Sequence, residues 1–355
     1  MILSLKVATR IATLAFAGFV AAASTLHAET KSPFTWTDTT QVAKAGWGRM
    51  IPLGGEDWLC VNTDFRGPNS VLHLEISHDR ARTWKVVTTI AEPGRNLDNG
   101  EVIKLPSGTL LLTGRSVVTS RKPDALQSYH LPVYQSADGG KIWTFLSQIA
   151  RSEPGPFEPG QKSKGLWEPH FFLLPDGSVA CAYADETLSA GQPAFSQIVS
   201  EKVSQDGGVT WGPVRILASQ IFGGGQRPGM PVVTRMKNGD YIAVFEVVGI
   251  GDADVHFKTS PDGVSWPPGI GTPIAHQHAG PWVTSLQSGR LLVTSCQNEI
   301  SYSDDYGNTW LLASPPAEPF GHVFSWPALY EIAPNQLAVL TSWHGVQIRW
   351  GTVNL

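Results

Sequence analysis

SQDGGVTW, from Ser204 to Trp211, recurs four more times in this chain, as SHDRARTW (Ser77 to Trp84), SADGGKIW (Ser136 to Trp143), SPDGVSW (Ser260 to Trp266) and SDDYGNTW (Ser303 to Trp310). A short motif returning every roughly 40 to 70 residues marks an array of similar units that stack to share a core. Within each copy the Asp and Gly suit a tight turn. The Ser and Thr hydroxyls can tie that turn to the backbone, and the Trp can fold back onto the unit's own core. The motif therefore reads as a structural staple. SHDRARTW lacks the usual glycine and SPDGVSW is one residue short, so both are expected to turn less regularly.

Between the staples lies a second repeat, in which an apolar run, a turn and another apolar run follow one another. Its copies are RMIPLGGEDWLCVNTD from Arg49, NGEVIKLPSGTLLLTGR from Asn99, EPHFFLLPDGSVACAYAD from Glu168, GMPVVTRMKNGDYIAVFEV from Gly229, PWVTSLQSGRLLVTSCQ from Pro281 and WPALYEIAPNQLAVLTSW from Trp326. Each reads as a β-hairpin. Six hairpins and five staples predict an all-β, six-bladed β-propeller with four-stranded antiparallel blades. Its last blade would be completed by the N-terminal stretch Ser32 to Thr39, because a closed ring leaves no free sheet edge.

Composition narrows the function classes. Residues 1–28 carry Lys6 and Arg10, then an apolar run from Ile11 to Ala23 and Leu26-His27-Ala28, the layout of a cleavable export signal and too short for a membrane span. A single propeller domain over residues 29–355, exported to a periplasm or beyond the cell, is the expectation. Loss of the signal moves the formal charge from −4 to about −6, which offers no polybasic surface for nucleic acid or membrane. Cys60, Cys181 and Cys296 lie in apolar strand-like runs and read as free buried thiols. No metal-ligand spacing appears, no cofactor is expected, and the chain is expected to be a monomer.

In a propeller the first strand of each blade lines the channel. Aligning the hairpins on their turns puts Asn99, Glu168, Met230, Gly280 and Trp326 in one register, followed by Gly100, Pro169, Pro231, Pro281 and Pro327. Proline at this point fixes the strand start and aims the preceding residue into the mouth. On the returning strand the corresponding register holds Asn62, Arg115, Ala184, Glu246, Cys296 and Ser342. Glu168, between Trp167 and Pro169, reads either as a rim carboxylate paired with an arginine or as a reacting group. Glu246 sits in the apolar run YIAVFEVVG, where an unpaired carboxylate is costly, which favours a function with Arg115 or Arg227 as partner. Arg49, Arg115 and Arg227 can fork onto ligand oxygens. Asp185 or Glu186 could bond sugar hydroxyls, while Trp167, Trp282, Trp326 and Trp343 could stack on sugar faces. His170, His278, His322 and His344 read as hydrogen-bonding rim residues.

The serine-aspartate staple is the Asp box, and five copies resemble the sialidase-like propellers. Three stretches, LWEPHFFLLPDGSVACAYADET, SQDGGVTWGPV and GGGQRPGMPVVTRMKNGDYIAVFEVVG, resemble blades three and four of the exo-acting arabinanases of glycoside hydrolase family 93. That resemblance, specific over roughly residues 165 to 250, implies a retaining glycosidase that releases short arabinose units from α-1,5-linked arabinan. Its catalytic glutamates would be Glu168 and Glu246. Retention calls for two carboxyl groups about 5 to 5.5 Å apart, one attacking the anomeric carbon and the other protonating the leaving oxygen. Glu168 is taken as acid/base and Glu246 as nucleophile, although the apolar neighbours of Glu246 also suit a protonated acid. The substrate would be an oligo- or polysaccharide, bound in addition by Arg49, Arg115, Trp167, Asp185, Arg227 and Trp326.

Two other readings are open on the residues alone. A sialidase would use Arg49, Arg115 and Arg227 around a substrate carboxylate with a tyrosine nucleophile, for which Tyr302 and Tyr330 are poorly placed. A non-catalytic glycan-binding propeller would have no reason to hold two like charges close together.

Overall fold

The computed structural model describes residues 33–118, 127–153, 164–188, 197–220, 225–313, 325–342 and 344–354. The N-terminal signal, Trp343 and His322 lie outside the described residues. Among the described residues there are strands and no helices, and therefore no helix long and apolar enough to cross a membrane. The strands form six separate four-stranded antiparallel sheets, the six-bladed propeller expected from the hairpin count. The innermost strands are Gly46–Gly54, Asn96–Lys104, Leu166–Leu173, Arg227–Arg235, Trp282–Ser285 and Ala328–Ala333. The second strand of each blade is the most deeply buried; Val179–Asp185 is buried along its whole length. The apolar cores lie between neighbouring blades, as in the cluster that joins Leu59, Val61 and Leu74 of the first blade to Leu97, Val102 and Leu112 of the second.

The ring closes as expected, with a longer closing strand. Phe34–Ala43 is the outer strand of the last blade and pairs antiparallel with Val346–Val353, from Phe34 opposite Val353 to Ala43 opposite Val346. Cys60, Cys181 and Cys296 are free; the first two are buried and Cys296 is half-buried.

Each Asp box has the same wiring. The Ser hydroxyl donates to its Asp in all five, as in Ser136 Oγ to Asp138 Oδ1 at 2.8 Å and Ser204 Oγ to Asp206 Oδ1 at 2.8 Å. The Asp then accepts from backbone N–H groups across the turn and, except in SADGGKIW where Ile142 stands in the Thr position, from a hydroxyl as well, as Asp206 does from Thr210 at 2.8 and 2.6 Å. SHDRARTW departs from the expectation of irregularity: Asp79 accepts from Ser77, Arg82 and both Thr83 donors as the glycine-containing boxes do. The missing glycines are replaced by two side chains held in the left-handed region, Arg80 at φ 57° and Ala81 at φ 64°. Hydrogen bonding at the Asp is strong enough to outweigh that strain, about 1–2 kcal/mol per residue. In the shortened SPDGVSW, Ser265 takes the place of the Thr and only Gly263 has a positive φ, so one residue fewer still closes the turn.

The box tryptophan packs against the core. Trp143 donates from Nε1 to Gly140 O at 2.8 Å and lies against the cluster between the first two blades. Trp143→Ala is expected to destabilise by about 3–5 kcal/mol, read as a lower denaturation midpoint with unchanged m-value. Wild-type stability would overturn the staple reading.

Candidate active site

The mouth is built by one repeated backbone event. Trp47, Asn99, Glu168, Met230, Gly280 and Trp326 all lie at φ between 49° and 54°. In four blades this is where the ladder of the inner strand slips, between Gly46 and Arg49, Asp98 and Glu101, Trp167 and His170, and Gly229 and Val232. In the other two, the inner strand begins just after it. A bulge with a left-handed residue re-aims one side chain and leaves its N–H outside the ladder. The aligned hairpin register of the sequence is therefore a physical ring. Its sixth member is Trp47, two residues ahead of the Arg49 that opens the first hairpin repeat and so outside the aligned register.

At three of the six positions the freed N–H group is taken up by the neighbouring blade. Trp47 N donates to Ser342 Oγ at 2.7 Å, and Gly280 N donates to Glu246 Oε2 at 2.8 Å. Ser342 and Glu246 share the returning-strand register, so Glu246 occupies a position where a neutral hydroxyl suffices elsewhere. In the third blade that register holds Ala184, which cannot accept, and Met230 N instead donates to Glu168 Oε2 at 3.2 Å.

Glu168 and Glu246 are both partly buried. Gly229 pairs with Glu246 across the ladder. A β-carbon at Gly229 would lie 3.7 Å from Glu168 Oε2 and 2.6 Å from Gln197 Nε2. Glycine at this point is what lets the two blades approach. The Glu168 carboxyl is pushed up to about 7, first by burial and next by the charge of Glu246, against the opposing pull of the Met230 N–H and Arg115. Burial also raises Glu246, with the Gly280 N–H opposing it. The charge of Glu246 thus adds to burial in favouring the protonated form of Glu168.

Around Glu168 stands an assembly that the sequence reading saw only in part. Arg115 binds Asp98 through both carboxylate oxygens, at 2.7 and 2.6 Å, and its guanidinium lies 4.5 Å from the Trp167 ring centre. Trp167 in turn rests on Tyr129, with ring centres 5.2 Å apart. Trp167 is thus a shelf under Arg115. Asp98 carries no signal of its own, because its ladder partner Arg115 is on the neighbouring strand and the register shift between Asp98 and Glu101 offsets the pairing counted from the turn.

Other candidates are placed differently from expectation. Asp185 is only 1% exposed; Oδ1 accepts from Thr187 N and Oγ1 and Oδ2 accepts from Ser200, so it stabilises a turn and does not reach the mouth. Arg227 is held by Glu186 at 2.5 Å and Gln197 at 2.9 Å. Arg49 is buried beneath the ring, donating to Gly48 O and Trp326 O and lying 4.5 and 4.9 Å from the Trp47 and Trp282 ring centres. His170 and Trp282 are buried as well, not on the rim. Trp326 stays in the mouth, 36% exposed and tilted against Trp47 at 5.5 Å.

Beneath the ring the channel is nearly filled. A cavity of about 10 Å³ among Arg49, Glu101, Glu168, His170 and Trp282 has room for about one water. A space of about 690 Å³ opens at the opposite end of the channel, and Glu101, His170 and Trp282 border both. Together with Val232, these side chains stand between the two spaces.

Fold and repeats together define an Asp-box β-propeller. The chain belongs to the BNR repeat-like domain family, which matches residues 66–325. No curated protein sequence matches it. Among solved structures it is similar to the Penicillium chrysogenum alpha-L-arabinanase complexed with arabinobiose, at 22% identity and TM-score 0.71 over 89% of this chain and 98% of that one. It is also similar to the GH93 alpha-L-arabinofuranosidase of Fusarium graminearum with arabinobiose, at 18% identity and TM-score 0.70 over 90% and 98%. The Trypanosoma rangeli sialidase in complex with the inhibitor DANA is more distant, at 11% identity and TM-score 0.55 over 88% and 55%. At these identities the likeness is one of fold.

Proposed function

We propose that residues 29–355 form a single catalytic domain, a retaining glycoside hydrolase acting on α-1,5-linked arabinan, exported after removal of residues 1–28. The observation that carries this reading is the carboxyl pair. Glu246 stands where Ser342 does the same backbone duty without a charge, and its charge adds to burial in raising a second sheltered carboxyl, Glu168, to about 7. A purely structural or binding role needs no such pair.

In this reading Glu168, with Oε2 held by the Met230 N–H, carries its proton on Oε1 and donates it to the departing glycosidic oxygen. Glu246, with Oε2 held by the Gly280 N–H, attacks the anomeric carbon through Oε1 as that bond breaks. A water then gives its proton to the Glu168 carboxylate and displaces Glu246, restoring both groups with retention. Arg115, fixed by Asp98, and Trp167 border the acid/base, and Trp326 offers a face for a sugar ring. The three arginines that a sialidase would aim at a carboxylate are engaged by Trp326 O, Asp98 and Glu186 in three different places. The Tyr330 hydroxyl is engaged with Met50 N.

The test is product analysis on linear α-1,5-arabinan beside a sialyl-lactose control. Release of short arabinose products supports the reading. Free sialic acid, or no product from either, overturns it.

A further inference from the structure

Asp98 and Trp167 hold equivalent places, each just ahead of its blade's left-handed residue, Asn99 and Glu168. The returning strands add a second equivalence. Ser342 and Glu246 each meet the backbone of the left-handed residue on the next blade, at Trp47 N and Gly280 N. Arg115 is the member of that column in the second blade, so its neighbour in the ring is Glu168, and the charges of Arg115 and Asp98 both act on that carboxyl, in opposite directions. A guanidinium carries only donors and cannot take up the Glu168 N–H. It turns instead to its own blade. There Asp98, only 4% exposed, accepts from Nε at 2.7 Å and from Nη2 at 2.6 Å, while the guanidinium carbon lies over the Trp167 ring, 4.5 Å from its centre. The other charged or titratable groups around Glu168 are Glu246 and, across the small cavity beneath the ring, Arg49, Glu101 and His170. Glu101 lies 4.0 Å from Arg49 Nε and 3.7 Å from His170 Nδ1, so those three offset one another.

We propose that Asp98 is a positioning residue for the acid/base: by clamping Arg115 through both carboxylate oxygens against Trp167, it keeps the guanidinium from pairing with Glu168 and cancels its charge there. The proposal rests on the glycosidase reading above. An uncompensated cation beside a general acid favours the ionised form and empties the group of the proton it must deliver. A planar fork held at two points and against a ring face has little freedom to swing away.

The experiment records kcat/KM against pH on a linear α-1,5-arabino-oligosaccharide for the wild type, Asp98→Asn, Arg115→Gln and the double variant. The wild-type alkaline limb is expected near 7. Asp98→Asn leaves the guanidinium uncompensated, and the limb should move to lower pH by about one pH unit. Arg115→Gln leaves the Asp98 carboxylate uncompensated and should move the limb to higher pH by about as much. With both charges removed the limb should return close to the wild-type position. The readout is where the limb falls and not its height, since lost packing or lost sugar contacts lower kcat/KM without moving the limb. A limb at one pH in all four proteins, or displaced the same way in both single variants, overturns the clamp and leaves the glycosidase reading standing. No cleavage by the wild type overturns both. Should the buried site not tolerate Asp98→Asn, seen as a lost thermal transition, the Arg115→Gln limb decides: a move to higher pH supports the clamp, and any other result overturns it.

Discussion

Glu246→Gln is expected to lower kcat on arabinan by on the order of 10³-fold or more, because an amide cannot form the covalent intermediate. The same substitution should leave the fold intact. Gly280 N needs an acceptor, and the amide oxygen of Gln supplies one, as the Ser342 hydroxyl does for Trp47 N. Stability should even rise above mildly acidic pH, since burial raises the Glu246 carboxyl and ionising it in place is costly. The measurement is a pair: steady-state turnover and a thermal midpoint at neutral pH. A large drop in the midpoint with turnover retained would make Glu246 a latch and nothing more.

Glu168→Gln is expected to cost about 10²- to 10⁴-fold in kcat/KM on natural glycosides and far less on an aryl glycoside whose leaving group needs no proton. Its pH signature separates it from Glu246. With the Glu168 carboxyl at about 7, wild-type kcat/KM should fall tenfold per pH unit above that value as the general acid loses its proton, and this limb should vanish in the variant. Stability follows with a definite sign. The folded value lies above the ordinary 4.5, so the group's contribution is fully present below about 4.5 and is lost as pH rises through about 7. Glu168→Gln should therefore flatten the wild-type decline in stability across that window. A wild-type profile with no limb near 7, or an unchanged decline in the variant, would remove Glu168 from the acid/base role.

Much of this was legible in the sequence because propeller repeats translate register into position. Counting from each hairpin turn brings Asn99, Glu168, Met230, Gly280 and Trp326 into one column, and all five share the left-handed backbone conformation. Glu246 and Ser342 likewise fell in one column and do the same backbone duty. What stayed hidden depends on side-chain direction at strand ends. Asp185 looked like a mouth residue, yet its carboxylate turns back to Thr187 and Ser200. Asp98 and Glu101 straddle the second blade's bulge and went unnoticed, although one fixes Arg115 and the other borders both channel spaces. The hydrophobic pattern reports which face a residue is on, but a bulge changes the face without changing the pattern. Arg49 shows the other limit: it reads as a fork for ligand oxygens, whereas two tryptophan faces and two carbonyl oxygens shelter it.

The closing strand sets a condition on how this ring can be made. Thr37 bonds to Trp350 O across 313 positions of sequence, and the whole of Phe34–Ala43 waits for the last strand before it has a partner. A chain that emerges end-first, from a ribosome or through a membrane pore, can assemble its early blades one after another but cannot seal the circle until its final residues are free. Such long-range pairing slows folding, and until it forms both rims of the unfinished ring present unpaired strands to other copies. Joining the termini through a linker and reopening the circle within another blade would move that vulnerable step elsewhere without removing it. Ending the chain before Val346 would leave the circle permanently open.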